Sequence, residues 1–460
     1  MKRILLPLIL LAAFYPGKAQ NVMYVHKAAG TDTFEVTDED NASFNEDKTQ
    51  ISFSVSGEIT TYDITEIDSI TFEIDTDSTV YIDYNGSTAS VVNPLEGAGI
   101  NTIIDGADVY IQSTVDLPDI NYVVSGSTSD GMLKLYSERR FNLLLNGVTL
   151  SNLDGPAINI QSGKKVSVNL SAGTTSTLTD GTSYTDPGND EDQDAALFSE
   201  GQLVFTGSGS LVINGNGTGK DGIRSDDYIR IEEGTINVLS ASNDGIHGKD
   251  GFFMNGGTIS ILSSGDGVDA GGGSLEISGG TLSITSISDD VKGMNCDTTL
   301  LISGGNLDLN IAGNQSKGIH SDQEMFISGG AISITTSGGV VLEASGIGYD
   351  PSYCTAINSN GNITITGTDI TISSTGAAGK GIACDGNMEI SDADIRITAS
   401  GNGAKYTTST GSADAYFGSC LNTDGDLYIQ SGEYSLIHSG SGGRGISTDG
   451  ALDIGDASSD

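Results

Sequence analysis

The 460 residues contain no Trp, 7 Pro, 4 His and 4 Cys. So few histidines, scattered along the chain, exclude a zinc centre. Cations are also scarce. Lys and Arg total 20 against 61 Asp and Glu, a formal charge of −41, which excludes binding of nucleic acid or another polyanion over a general surface and leaves only local basic spots. Past the N-terminal segment no apolar run approaches the ~18 residues that span a bilayer, and no Cys follows that segment to accept a lipid. Direct membrane insertion is therefore not expected.

What is abundant is glycine, 64 residues, twice the usual share, in a chain whose 37% hydrophobic content suffices for a long core. A length of two to three average domains combined with that glycine content points to repetition. Lys2, Arg3, the apolar stretch Ile4 to Phe14 and a cleavage position after Ala19 or Gln20 read as an export signal over residues 1–20, so the mature protein is expected to be secreted or held at the cell surface. Residues 21–78 show alternation at Ile51, Phe53 and Val55 and again at Ile64, Ile67, Ile70 and Phe72. They read as a small β-rich module, followed by the acidic link Asp75 to Asp77.

From residue 79 to 460 a phrase recurs, with apolar anchors at Ile158, Leu197, Ile223, Ile246, Val268, Met294, Ile319, Ile357, Ile382, Leu421 and Ile446. From Ile223 onward the separations are 23, 22, 26, 25, 38, 25, 39 and 25 residues: a coil of constant size, with two coils enlarged. Within each coil period-two patches mark short strands, as at Ile319, Met325, Ile327, Ile332 and Ile334. One coil cannot bury its inner face alone but stacked coils can, which predicts an all-β parallel β-helix. Gly234, Gly257, Gly280, Gly305, Gly330 and Gly432 mark corners expected to need positive φ. The last coil stops at Ile454 without an obvious cap, so either the chain is shortened or something else covers that end.

Stacking turns sequence offsets into columns about 5 Å apart. The residue before the anchor glycine is Asp221, Asp244 and Asp266, then Lys292, Lys317, Thr355, Lys380, Ser419 and Arg444. Three stacked carboxylates repel one another, and Asp226, Asp250, Asp269, Asp289 and Asp290 add charge. An oxygen-only set of this kind suits Ca²⁺; the competing reading is turn hydrogen bonding in water. A second column, Asp226, Asp297, Asp322, Asp385, Asp424 and Asp449, is expected to close Asx turns. Asp190, Asp192 and Asp194 alternate like the start of an EF-hand loop but lack its Gly and terminal Glu. Cys296 and Cys384 share a column three coils apart, too far to bridge, while Cys354 and Cys420 stand by the enlarged coils; buried thiols are the expectation for all four.

The motifs Val123-Val124-Ser125-Gly126, Leu145-Asn146-Gly147-Val148, Asp244-Gly245-Ile246-His247-Gly248-Lys249-Asp250, Lys317-Gly318-Ile319-His320-Ser321-Asp322 and Lys380-Gly381-Ile382-Ala383-Cys384-Asp385 occur in this order. In them the chain, from about residue 80 to its end, resembles the secreted carbohydrate-binding domain proteins, whose right-handed parallel β-helix is like that of calcium-dependent pectate lyases. The resemblance implies binding of plant-type polysaccharide, cellulose or acidic sugars such as polygalacturonate, with structural calcium and no established catalysis. The compact Gly271-Gly272-Gly273 turn departs from the family, where longer acidic loops are common.

The basic run Lys292, Lys317, Lys380 and Arg444 suits sugar carboxylates. Tyr349, Tyr353, Tyr406, Tyr416 and Phe417, in the enlarged coils, are candidate stacking platforms, unless the loops fold over and bury their own rings. Without Trp, soluble or acidic glycans are favoured over crystalline cellulose. Three functions compete: a monomeric, noncatalytic glycan binder with a polysaccharide partner, a lyase using Lys249 or Lys220 as base beside calcium, and an adhesive stalk.

Overall fold

The computed structural model describes residues 20–36, 40–75, 78–117, 119–186, 188 and 191–455. Residues 1–19 of the export signal, Thr76 and Asp77 of the acidic link, Asp190 and the terminal tail 456–460 lie outside them. The described residues are all-β, with one 3-10 turn, Ile64–Glu66. No helix among them is long and apolar enough to cross a membrane.

Residues 20–75 form two antiparallel three-stranded sheets. One joins Gln20–Lys27, Gly30–Val36 and Ile67–Asp75; the other joins Asn41–Phe44, Gln50–Val55 and Glu58–Asp63. Their alternating residues fill one cluster, in which Met23, Val25, Ile51, Phe53 and Tyr62 are buried.

From Thr79 onward the strands, apart from two inserted hairpins, belong to two long sheets, of 14 and 26 strands, in which almost every pairing is parallel. A representative coil contributes Lys317–Ser321 to the first sheet and Met325–Ile327 and Ala331–Thr336 to the second. The long parallel sheets are consistent with a β-helix. The anchors stand in one register: Leu133, Ile158, Leu197, Ile223, Ile246, Val268, Met294, Ile319, Ile357, Ile382, Leu421 and Ile446 are successive Cα partners. All but Ile446 are fully buried. The strands Met325–Ile327 and Ala331–Thr336 stack Leu300, Met325 and Ile363, and Leu309, Ile334 and Ile372, in the same way. Each such side chain contributes about 1.5–3 kcal/mol by leaving water. At the N-terminal end the parallel order stops at two hairpins, Thr79–Asn85 with Thr88–Val92 and Ile100–Asp105 with Asp108–Ser113.

The corners follow the expected chemistry: φ is 96° at Gly234, 75° at Gly257, 86° at Gly280, 89° at Gly305, 86° at Gly330 and 130° at Gly432. Where the corner column has Thr368 and Ala393 instead, the left-handed residue moves one place back, to Gly367 and Asp392. The anchor glycines answer a different need. A Cβ on Gly293 would lie 2.5 Å from the Gly318 carbonyl oxygen, and one on Gly318 2.4 Å from that of Ala356. Side chains stand at this position in other coils, Ala157 and Ala196 before the glycine run and Ala356 and Cys420 in the two strands entered from an inserted hairpin.

Those insertions are antiparallel hairpins, Val341–Ser345 with Gly348–Ser352 and Ala404–Thr407 with Ala413–Tyr416. They join each other through a Tyr349–Thr408 bridge and a hydrogen bond from Ile347 N to Ser409 O.

All four cysteines are free and buried. Cys296 and Cys384 align with Ser321, Ser359 and Thr423. This column, not the aspartates after it, closes the turns, which corrects the Asx expectation. Ser225 accepts from Asp227 N at 3.1 Å, Ser321 from Gln323 N at 3.3 Å, Ser359 from Gly361 N at 3.1 Å and Thr423 from Gly425 N at 3.2 Å. The hydroxyl stands one residue before the carboxylate and accepts from the N–H two residues on, and the Cys thiols donate to carbonyls of the same turns.

Gly318→Ala is expected to lower stability by at least about 2 kcal/mol, because a fixed carbonyl must move. Ala356→Gly, in the same column, should cost no more than about 1 kcal/mol. Urea unfolding of both variants checks the contrast.

Candidate functional site

Side chains one residue past the anchors point away from the core of the 14-stranded sheet and form a second column, Arg224, His247, Asp269, Asn295, His320, Asn358, Ala383 and Asn422. From Arg224 to Asn358 these are half-buried polar groups, so the sheet presents a shallow lane with one hydrogen-bonding group per coil. The lane runs beside the column that starts with Asp221, and the two interlock where the acidic residues lie.

Asp221 is 1% exposed. Its Oδ1 accepts from Asn243 Nδ2 at 2.8 Å and from Asp244 N at 3.1 Å, and its Oδ2 from Arg224 at 3.3 Å. Asp244 in turn accepts Asp266 N at 2.8 Å, and Asp266 accepts Lys292 N at 2.7 Å. Each carboxylate thus caps the backbone of the next coil. Burial, reinforced by the Asp244 charge, pushes the Asp221 carboxyl up to about 6. Burial pushes Asp266 up to about 7, with Lys292 N opposing and Asp244 adding to the rise.

His247 is the residue that sequence reasoning missed. Its Nδ1 lies 3.3 Å from Asp244 Oδ2 and 3.1 Å from Asp269 Oδ2. Burial alone would lower the imidazole, but these two hydrogen bonds outweigh it and raise it to about 9, so it is a cation at neutral pH. Burial of Asp269 is likewise outweighed by His247, and its carboxyl is held low. Asp226 meets Arg224 at 3.1 Å and Lys249 at 3.6 Å. The one available signal was the position of His247 one residue past an anchor, which placed it between two aspartate columns.

Among the described residues two groups converge enough to hold a cation: Asp221, Asp244 and His247, and Asp192, Glu200 and Asp226, each with one atom per residue within 4.8 Å of the others. Asp250, Asp289 and Asp290 are exposed and join neither group; Asp289 instead caps Asn314 N at 2.7 Å. The expected set is therefore dispersed. Asp221 and Asp244 fit calcium in donor type, but two oxygens fall short of the usual six to eight, and Arg224 and His247 already provide counter-charge.

The acidic loop folds back onto the sheet. Asp194 pairs with Lys220 at 2.7 Å, Glu191 pairs with Lys134, and Asp192 O accepts from Gln161 at 2.8 Å. Lys220 also lies over the Tyr184 ring at 5.4 Å. Both amines considered as lyase bases are thus engaged by carboxylates, Lys220 by Asp194 and Lys249 by Asp226.

At the other end, Lys292, Lys317, Thr355, Lys380, Ser419 and Arg444 are in register as expected. The inserted hairpins lie against them. Lys380 Nζ sits 3.8 Å from the centre of the Tyr353 ring, and the Arg444 guanidinium 3.5 Å from that of Phe417. Lys317 Nζ donates to Gln315 O at 2.8 Å. Tyr406 and Tyr416 pack on each other at 6.2 Å, and Tyr349 is 45% exposed. Burial raises the Tyr353 hydroxyl to about 12. These rings serve the loops and their cations first.

Three comparisons bear on this surface. A model of the family described as carbohydrate-binding domain-containing protein matches residues 105–350. A carbohydrate-binding domain-containing protein of Acetivibrio thermocellus is 30% identical over 139 residues, 29% of this chain and 48% of that protein, so the chain spans about half the length of the curated relative it matches. A polysaccharide lyase-like protein from C. thermocellum, solved as a gadolinium derivative, aligns with 69% of this chain and 98% of its own at 20% identity and a TM-score of 0.41.

Burial lowers the Lys380 ammonium from 10.5 to about 8, against the raising charges of Asp424 and Asp385, with Lys317 adding to the fall. A folded pKa below the unfolded one means that the unfolded chain holds more protons between pH 8 and 10.5, so this group's contribution to stability rises with pH across that window. The Tyr353 ring favours the charged form and offsets part of the shift. Lys380→Met is expected to raise stability at pH 7 by about 1 to 2 kcal/mol and to flatten that rise. Chemical denaturation of both proteins at several pH values measures it.

Proposed function

We propose, from the premise that the chain belongs to the carbohydrate-binding domain family, that it is a noncatalytic glycan-binding protein whose binding face is the lane from Arg224 to Asn358. The observation that supports this is the register of that lane: one polar side chain per coil, repeated along a rigid parallel sheet. A polymer with regularly spaced hydroxyl and carboxylate groups meets such a ladder with little ordering cost, because the strands hold the side chains in place beforehand. Arg224 and His247 supply cationic donors for sugar carboxylates, and Asn295 and Asn358 supply amides for hydroxyls. Plant-type polysaccharide, acidic or cellulosic, is the ligand class.

The coils are proposed to close as a right-handed parallel β-helix. Structural calcium belongs to the same proposal, at Asp221 and Asp244. When bound there it would supply positive charge beside the lane, with water or uronate oxygens completing its shell. Export, on the strength of Lys2, Arg3 and the apolar stretch to Phe14, and action as a monomer complete the reading.

Calorimetric titration with polygalacturonate, with and without calcium, while ultraviolet absorbance is followed, tests it. Binding without new absorbance is expected. New absorbance from unsaturated products would make the protein a lyase, and silence in both channels would leave the adhesive stalk. Asn295→Ala and Asn358→Ala should each weaken binding by about three- to tenfold, the effect of losing one or two hydrogen bonds, with the thermal midpoint unchanged.

A further inference from the structure

Toward the N-terminus the polar lane is interrupted by the buried Phe198, and the same register then runs through Asn159, Lys134 and Tyr110. There the surface changes character. A cleft of about 330 Å³ opens between the edge hairpin and the acidic loop, with Asp108, Tyr110, Tyr136, Asp154 and Gln193 among its lining residues. A second hollow of about 290 Å³ shares Tyr110 and Tyr136 with it, so the two rings form a wall common to both.

Tyr136 is held in place before any ligand arrives. Its hydroxyl donates to Glu191 Oε1 at 2.9 Å, and Lys134 Nζ lies 5.8 Å from the ring centre. Tyr110 sits diagonally beside it, since Gln112 is the register partner of Tyr136. Among the described residues the Tyr110 hydroxyl, the Asp154 carboxylate and the Gln193 amide have no protein hydrogen-bond partner, so acceptors and donors facing the cleft remain unused. Lys134, the one cation lining it, is 6% exposed and neutralised by Glu191, while Asp108, Asp154 and Asp186 line it with negative charge. Burial raises the Asp108 carboxyl, with the Asp154 charge adding to it.

We propose that this cleft is a separate subsite for neutral hexose units. Its tyrosine faces take the apolar face of a pyranose ring, Asp108 and Asp154 accept from hydroxyl pairs, and its charge rejects uronates. Carboxylate acceptors beside a buried cation are the inverse of what an acidic sugar needs, whereas the lane beyond the loop has Arg224 and His247, which are paired with aspartates but half-buried and so reach the surface. One face therefore carries two selectivities, divided by the acidic loop. The inference rests on the glycan-binding reading and gives the neutral part of its ligand class a site of its own.

The test is calorimetry on the full chain with cellohexaose and mannohexaose as neutral probes and polygalacturonate as the acidic one. Tyr110→Ala and Asp154→Ala are each expected to weaken binding of a neutral hexasaccharide at least tenfold and to leave polygalacturonate affinity unchanged. Asp154 is exposed, so its variant folds even if loss of the Tyr110 ring disturbs the edge hairpin. Neutral binding untouched by both substitutions, or polygalacturonate binding with no neutral binding, overturns the cleft and leaves the glycan-binding reading standing. A wild-type protein that binds none of the probes overturns both.

Discussion

Parallel backbone pairing between successive coils is the constraint on which the rest depends. It sets the coil spacing near ~4.8 Å and makes every offset within a repeat a column of near-identical neighbours. Inside, the columns hold Ile, Leu, Val and Met, which pack one on another at every step. At the anchor glycines the spacing leaves no room for Cβ, because the carbonyl of the following coil lies about 2.5 Å from where it would stand, as at Gly293 and Gly318. In the coils where a side chain does stand there, it is small: Ala157, Ala196, Ala356 and Cys420.

The same spacing makes charged columns costly, and the structure offsets that cost with local partners. Asp221, Asp244 and Asp266 each spend one oxygen on the backbone N–H of the next coil, and Arg224 and His247 stand between the others. On the basic side the ammonium of Lys380 is covered by an aromatic ring rather than paired with a carboxylate. The sheet face thus carries charge of both signs in ordered places although the whole chain is strongly acidic.

Several features were legible because they repeat. The anchors fell into one register from Ile158 to Ile446, and the corner glycines from Gly234 to Gly432 have the positive φ that their recurrence implied. The turn chemistry was misassigned by one residue: aspartate before glycine suggests an Asx turn, but the Ser and Thr hydroxyls one place earlier accept a turn N–H from a buried column. His247 was passed over because histidines are few, and its importance comes from Asp244 and Asp269, neighbours in space from its own and the next coil.

The sequence by itself determined the repeat length, the all-β periodicity, the columns and the acidic balance, because each is a property of spacing or of counting. Only the tertiary structure decided which side of a column faces water and which groups meet across coils. Asp250, Asp289 and Asp290 match the acidic column in charge, yet the corners turn them outward. Tyr110 and Tyr136 lie in different coils and become neighbours through pairing, and the two hairpins meet through Tyr349 and Thr408, far apart in the chain. The reason is physical: periodicity fixes each strand's own faces, while loops and insertions have no period and take their positions from the contacts they find.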